Sequence, residues 1–150
     1  MRTDWTSYFI ALARTISTRS TCLRAQHGCV IVRDKTILST GYNGAPRGLE
    51  HCDEVGECYR QKNNILPGTQ YERCKSVHAE QNAIAQAARE GMRLLDAELY
   101  VTDLPCGICA KIIVNAGIKK IIFPSTQRYL DRASVEVFNE AGVILEEVSK

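Results

Sequence analysis

The sequence predicts an α/β domain of three layers, with helices on both faces of a mixed five-stranded sheet, and residues 1–150 forming one unit. Three observations predict it. Strand-like and helix-like stretches alternate from Val77 onward, which requires crossover connections and parallel strands. Before them, two strand-like runs, Gly28–Arg33 and Thr36–Tyr42, are separated by Asp34-Lys35 alone, a turn that makes an antiparallel pair. Finally, 150 residues of which 45% are hydrophobic suffice for one core without disulfide staples.

Trp5, Phe9, Leu12, Ala13 and Ile16 recur at helical spacing, predicting an opening amphipathic helix whose stripe is core. The hairpin follows. Over residues 43–77 glycine, asparagine and balanced charges dominate, and apolar residues thin out. Such a stretch cannot order itself by burial, so it is mobile or is tied down by something else. Beyond it, Ala79, Ala83, Ile84, Ala87 and Ala88 mark a helix ending at Gly91. Residues 98–102 read as a strand, 105–116 as a helix, 118–123 as a strand, Arg132–Ala141 as a helix stopped by Gly142, and 143–148 as the last strand.

Nineteen basic and 17 acidic side chains leave a net charge of +2, no field for a nucleic-acid backbone or an acidic membrane surface. No apolar run approaches the ~20 residues of a membrane span. The N-terminal Met1-Arg2-Thr3-Asp4-Trp5 lacks the apolar stretch of a secretory signal, which points to the cytoplasm. In that setting, seven cysteines indicate metal binding or catalysis rather than disulfides.

Two strings carry the chemistry. Pro105-Cys106-Gly107-Ile108-Cys109 opens one helix, with Pro105 suited to the first helical position and both sulfurs on one face of the first turn. The helix dipole there favours the thiolates that a metal needs. His78-Ala79-Glu80 opens another helix. His78 and Glu80, two apart, cannot share the side of a helix, but they can share an object lying beyond its end. The spacing therefore predicts a metal where two helix N-termini converge, held by His78, Cys106 and Cys109, with Glu80 reaching past it. Two thiolates and a neutral imidazole make a zinc site with one open position, where water can ionise near pH ~7.

With these strings the sequence matches the H-x-E…P-C-x-x-C signature of zinc deaminases. Across nearly its whole length it resembles the cytidine/deoxycytidylate deaminase family, and within it the deaminases that act on dCMP. The resemblance runs through Arg19-Ser20-Thr21-Cys22-Leu23-Arg24, the more specific Thr40-Gly41-Tyr42-Asn43-Gly44, His78 to Ile84 and residues 105–111. It implies the deaminase fold and hydrolysis of dCMP to dUMP and ammonia, supplying dUMP for thymidylate synthesis. Glu80 would be the proton shuttle, as water activated by the zinc attacks C4 of the ring. It implies that Ala79 reads the base edge, that Asn43 contacts the sugar, and that Arg24, Arg128 and Tyr129 lie near the phosphate. It also implies a homo-oligomer, commonly a hexamer, with dCTP (together with Mg2+) and dTTP as effectors.

Cys22, Cys52, Cys58 and Cys74 remain, and the resemblance implies a second, structural zinc on them, with His51 or His27 able to replace one. A zinc there would anchor residues 43–77, contributing roughly 10 kcal/mol to folding. Cys29, mid-strand among valines and isoleucine, is core. Two other readings compete with this one. A sister deaminase acting on another cytosine nucleoside or nucleotide, guanine or tRNA adenosine shares the zinc strings but lacks TGYNG with the second cysteine set. A zinc-ribbon binding module wants a second CxxC and leaves Glu80 without a role.

Overall fold

The computed structural model describes residues 1–125 and 131–149. Five strands form one sheet in the order β2-β1-β3-β4-β5, with β1 at Gly28–Arg33, β2 at Thr36–Tyr42, β3 at Glu98–Val101, β4 at Lys120–Pro124 and β5 at Ile144–Val148. β1 runs antiparallel to both β2 and β3, whereas β3, β4 and β5 are mutually parallel, so the sheet is mixed as predicted. The β1–β2 turn has Asp34 and Lys35 both at positive φ (50° and 61°), the conformation that matches the twist of a two-residue hairpin.

The central strands are buried almost continuously, because successive side chains point to opposite faces and both faces are covered. Val30, Val32, Tyr100 and Ile122 meet Phe9, Ile10 and Ala13 of helix α1, Trp5–Ser17. Cys29, Ile31, Leu99, Val101, Ile121 and Phe123 meet the opposite layer. That layer comprises α4 at Ala79–Arg89, α5 at Gly107–Asn115 and α6 at Arg132–Ala141. The three predicted layers are therefore present, and Cys29 is core with no exposure. One member of the predicted α1 stripe departs from it. Trp5 is 47% exposed, its ring stacked on Phe9 and covered by the Lys35 ammonium rather than by the sheet.

Residues 43–77 are tied down by short elements and polar contacts. They include α2 at Cys52–Val55, α3 at Tyr59–Lys62 and a 3-10 turn at Tyr71–Arg73. Cys52 and Ile65 are buried, and the buried Arg60 donates from Nη2 to the carbonyls of Leu66 (2.9 Å) and Thr69 (2.6 Å). Gly44 pairs with Val77 in a single antiparallel bridge, so the Asn43-Gly44 pair does not turn a hairpin.

The close approach of α4 to β2 positions the site. A Cβ on Gly41 would overlap the Ala79 carbonyl and lie 2.7 Å from the Ala83 nitrogen. Only glycine lets the first turn of α4 sit this deep. Gly41→Ala is expected to lower the free energy of unfolding by about 2–3 kcal/mol, the upper range for overpacking against unyielding backbone. Gly48→Ala, where nothing stands within 4 Å and only a φ of +85° resists, is expected to cost about 1 kcal/mol. Urea unfolding of the two variants checks the difference; equal costs would show that the α4–β2 approach is not constrained at Gly41.

Candidate metal centre and substrate cleft

His78 is the N-cap of α4 and Cys106 the N-cap of α5, both with extended backbone. Here the structure corrects the sequence reading by two positions, since α5 begins at Gly107. Pro105 stands before the cap rather than at the first helical residue, and Cys106 sits at the cap with Cys109 at N3. The two sulfurs still share the end of the helix, because cap and N3 positions face one another. The cap of α4 is secured by Gln81, whose side-chain carbonyl accepts from the His78 N–H at 2.9 Å.

The donor atoms of His78, Cys106 and Cys109 all lie within 4.8 Å of one another. His78 Nδ1 is 3.2 Å from Cys109 Sγ and 3.5 Å from Cys106 Sγ. A tetrahedral zinc with ordinary Zn–N and Zn–S bonds separates its donors by about 3.5 Å, so the residues present fit that ion. Their protonation chemistry fits too. The hydrogen bond from Cys109, joined by one from His78, holds the Cys106 thiol down to about 4. The same bond and burial push Cys109 up. The cluster thus keeps one thiolate and one retained proton, and a metal cation displaces that proton when it binds. Hydrogen bonding to Cys106 raises His78.

Glu80 is buried, and burial raises its carboxyl above the usual carboxylate range. It lines a cleft of about 1030 Å³ together with His78, Ala79, Cys106, Arg24, His27, Asn43 and Asp103. The cleft lies past the carboxyl end of β3 and against the N-termini of α4 and α5, the usual place for a ligand in an α/β sheet. Arg24 is exposed there and Ala79 is buried. Asn43, 6% exposed, is already engaged: its Oδ1 accepts from the His27 N–H at 2.9 Å and its Nδ2 donates to the Ala25 carbonyl at 2.9 Å. Arg128 and Tyr129 lie outside the described residues.

Cys22, Cys52, Cys58 and Cys74 line the same cleft. Burial raises the Cys52 thiol, and the neighbouring Cys22, Cys74 and Cys58 add to the rise. The two histidines considered with them have their Nδ1 atoms committed elsewhere. His51 Nδ1 accepts from the Ala45 N–H at 3.2 Å and lies 3.0 Å from Thr21 Oγ1. His27 Nδ1 lies 2.8 Å from Asp103 Oδ2.

Two features have no signature in the sequence. The His27–Asp103 pair joins a residue just before β1 to one just after β3. Their encounter follows from the antiparallel register Cys29↔Val101, which continued by two residues sets 27 opposite 103. Arg60 lies over the Tyr71 ring at 5.4 Å, and Tyr71 meets His78 edge-on at 5.4 Å. The irregular segment therefore reaches the metal centre through one ring.

Comparison with known proteins gives this geometry a family. Residues 3–125 match the cytidine and deoxycytidylate deaminase zinc-binding region. A deoxycytidylate deaminase of Mycobacterium phage D29 is 40% identical over 128 residues, covering 82% of this chain and 96% of the phage protein. The deoxycytidylate deaminase of Schizosaccharomyces pombe is 37% identical over 144 residues, or 96% of this chain; the match spans only 44% of the yeast protein. The dCMP deaminase of cyanophage S-TIM5, solved in complex with dCMP and dUMP, superposes with a TM-score of 0.80 at 27% identity, covering 99% of both chains. With its His-Cys-Cys donors at two converging helix caps and this sequence match, the chain belongs to the cytidine and deoxycytidylate deaminase family.

Proposed function

We propose that this chain, acting as a single domain over residues 1–150, hydrolyses dCMP to dUMP and ammonia, so supplying dUMP for thymidylate synthesis. The observation that carries the reading is the buried Glu80 carboxyl two residues from a fitted His-Cys-Cys donor set, in a family whose relatives in phage and yeast bear that name.

His78, Cys106 and Cys109 hold the zinc. When bound, the zinc supplies Lewis-acid activation of water, bringing its ionisation near pH ~7. The remaining work falls to the chain. Glu80 accepts the water proton, because burial makes it a stronger base than an exposed carboxylate. It passes this proton to N3 as the water oxygen bonds to C4, then carries the remaining hydroxyl proton to the amine, which leaves as ammonia as the C–N bond breaks and the C4 carbonyl forms. Ala79 places its backbone at the base edge, Asn43 faces the sugar, and Arg24, Arg128 and Tyr129 meet the phosphate. Glu80, on the first turn of α4, is buried where it lines the cleft, which limits its contact with bulk water.

The four remaining cysteines hold a second zinc, which anchors residues 43–77. Their common position on the wall of the cleft supports that reading, although among the described residues only His78, Cys106 and Cys109 have donor atoms that all lie within 4.8 Å of one another. Assembly as a hexamer and control by dCTP with Mg2+ and by dTTP rest on the family resemblance, and a cytoplasmic location on the reading of the cysteines as metal ligands rather than disulfides.

Glu80→Gln is expected to reduce ammonia release from dCMP by about 10²–10⁴-fold, the worth of a positioned proton carrier. The variant should keep its zinc, measured by elemental analysis. Full activity in it overturns Glu80 as the shuttle, and a wild-type protein that turns over no cytosine nucleotide overturns the function. Chelation should abolish turnover, and added zinc should restore it.

Zinc content distinguishes one site from two. The wild-type protein should carry about two zinc ions per chain, and Cys58→Ser with Cys74→Ser about one, with a markedly lower melting temperature. A wild-type value near one removes the second site.

A further inference from the structure

Most charged groups around the cleft are already engaged by the protein. Asp131 accepts from Gly107, Ala133 and Ser134 N–H groups at 2.8, 2.9 and 3.3 Å. Arg60 is buried, with Nη2 between two carbonyls. Glu80 is buried beside the zinc donors. His27 differs from all of these. Its side chain stays 41% exposed, its Nδ1 is fixed on Asp103, and its Nε2 has no partner among the described residues. Both members of the pair stand on rigid supports. The His27 N–H is held by buried Asn43, and its neighbour Gly28 exchanges two hydrogen bonds with Thr102: Gly28 N–H to Thr102 Oγ1 at 3.1 Å, and Thr102 N–H to the Gly28 carbonyl at 3.0 Å.

We propose that His27, positioned by Asp103, donates from Nε2 to the 5′-phosphate of the substrate and so sets the preference for a nucleotide over a nucleoside. The proposal rests on the deaminase reading above and names one of its specificity residues. A carboxylate behind Nδ1 favours the doubly protonated ring, which turns Nε2 into a charged donor aimed away from Asp103. A phosphate dianion wants more than one such donor. Arg24 lies on the same short loop, three residues earlier, and that loop is clamped at Ala25 and His27 by the Asn43 amide. Asn43 thereby orders the phosphate-facing loop in addition to facing the sugar. Because the ring is oriented by Asp103 and the clamped backbone before substrate arrives, little ordering is left to be done on binding.

The test compares kcat/KM for dCMP, deoxycytidine and CMP in the zinc-loaded enzyme. His27→Gln should lower the value for dCMP by about tenfold or more, the effect of one charge-assisted hydrogen bond, and that for deoxycytidine by no more than about threefold. The dCMP-over-deoxycytidine ratio therefore falls. Asp103→Asn should shift the ratio in the same direction by less, and His27→Lys, which keeps a cation, should recover much of it. A merely structural role would lower all three substrates together and would not be rescued by lysine. Equal losses on dCMP and deoxycytidine overturn the proposal. So does a loss that appears as a changed dCMP-over-CMP ratio, which would place His27 on the sugar. Wild-type protein that deaminates no phosphorylated cytosine overturns the parent reading along with it, whereas equal losses in an active enzyme overturn this proposal alone.

Discussion

The depth at which α4 sits on the sheet governs the rest of the molecule. At Gly41 no side chain separates β2 from the first turn of the helix, and the Ala79 carbonyl occupies the space where a Cβ would lie. Ala79, Ala83 and Ala87 continue the contact with small side chains along the buried face. Ser39, also on β2, donates to the Ala83 carbonyl at 2.7 Å, adding a polar tie to the same seam. A helix lowered this far carries its cap with it. From that cap His78 reaches the sulfurs of α5, and Glu80 on the first turn is buried.

That placement explains the electrostatics. Burial alone would push a thiol and a carboxyl up and an imidazole down. Cys106 goes the other way because hydrogen bonds from Cys109 and His78 outweigh its burial, whereas Glu80 has no donor strong enough to offset its own. The centre therefore divides its groups into one ready anion, Cys106, and one reluctant acid, Glu80, on the wall of one cleft. Such a division suits a site that must hold a cation and also move a proton.

The architecture was legible because its signals are local. Periods of 2 and 3.6 residues, Gly91, Gly117 and Gly142 behind their helices, and a two-residue turn fix the elements, and right-handed crossovers limit their order. The zinc donors were legible because a metal demands particular residue types at helix starts. Trp5 was misplaced because periodicity assigns a residue to a face without saying how far the partner surface extends. Pro105 was misplaced by two residues because proline suits both the first helical position and the residue before the cap. His27 with Asp103, and Arg60 with its carbonyls, left no trace in spacing. The first depends on strand register, and the second on main-chain groups that every sequence has.

The segment 43–77 shows how a stretch poor in apolar residues becomes ordered. Arg60 is at its centre. A guanidinium buried this far is costly unless its donors are met, and two carbonyls and the face of Tyr71 meet part of that need. Its Nε remains without a partner in the described structure, so the arrangement is not held by Arg60 alone. The cysteines on either side, Cys58 two residues before it and Cys74 just after the 3-10 turn, bracket the same stretch. Because Tyr71 also touches His78, any loosening of this segment removes a packing partner from a zinc donor. Order in the loop and geometry at the metal are therefore one problem for the chain, joined at the ring of Tyr71.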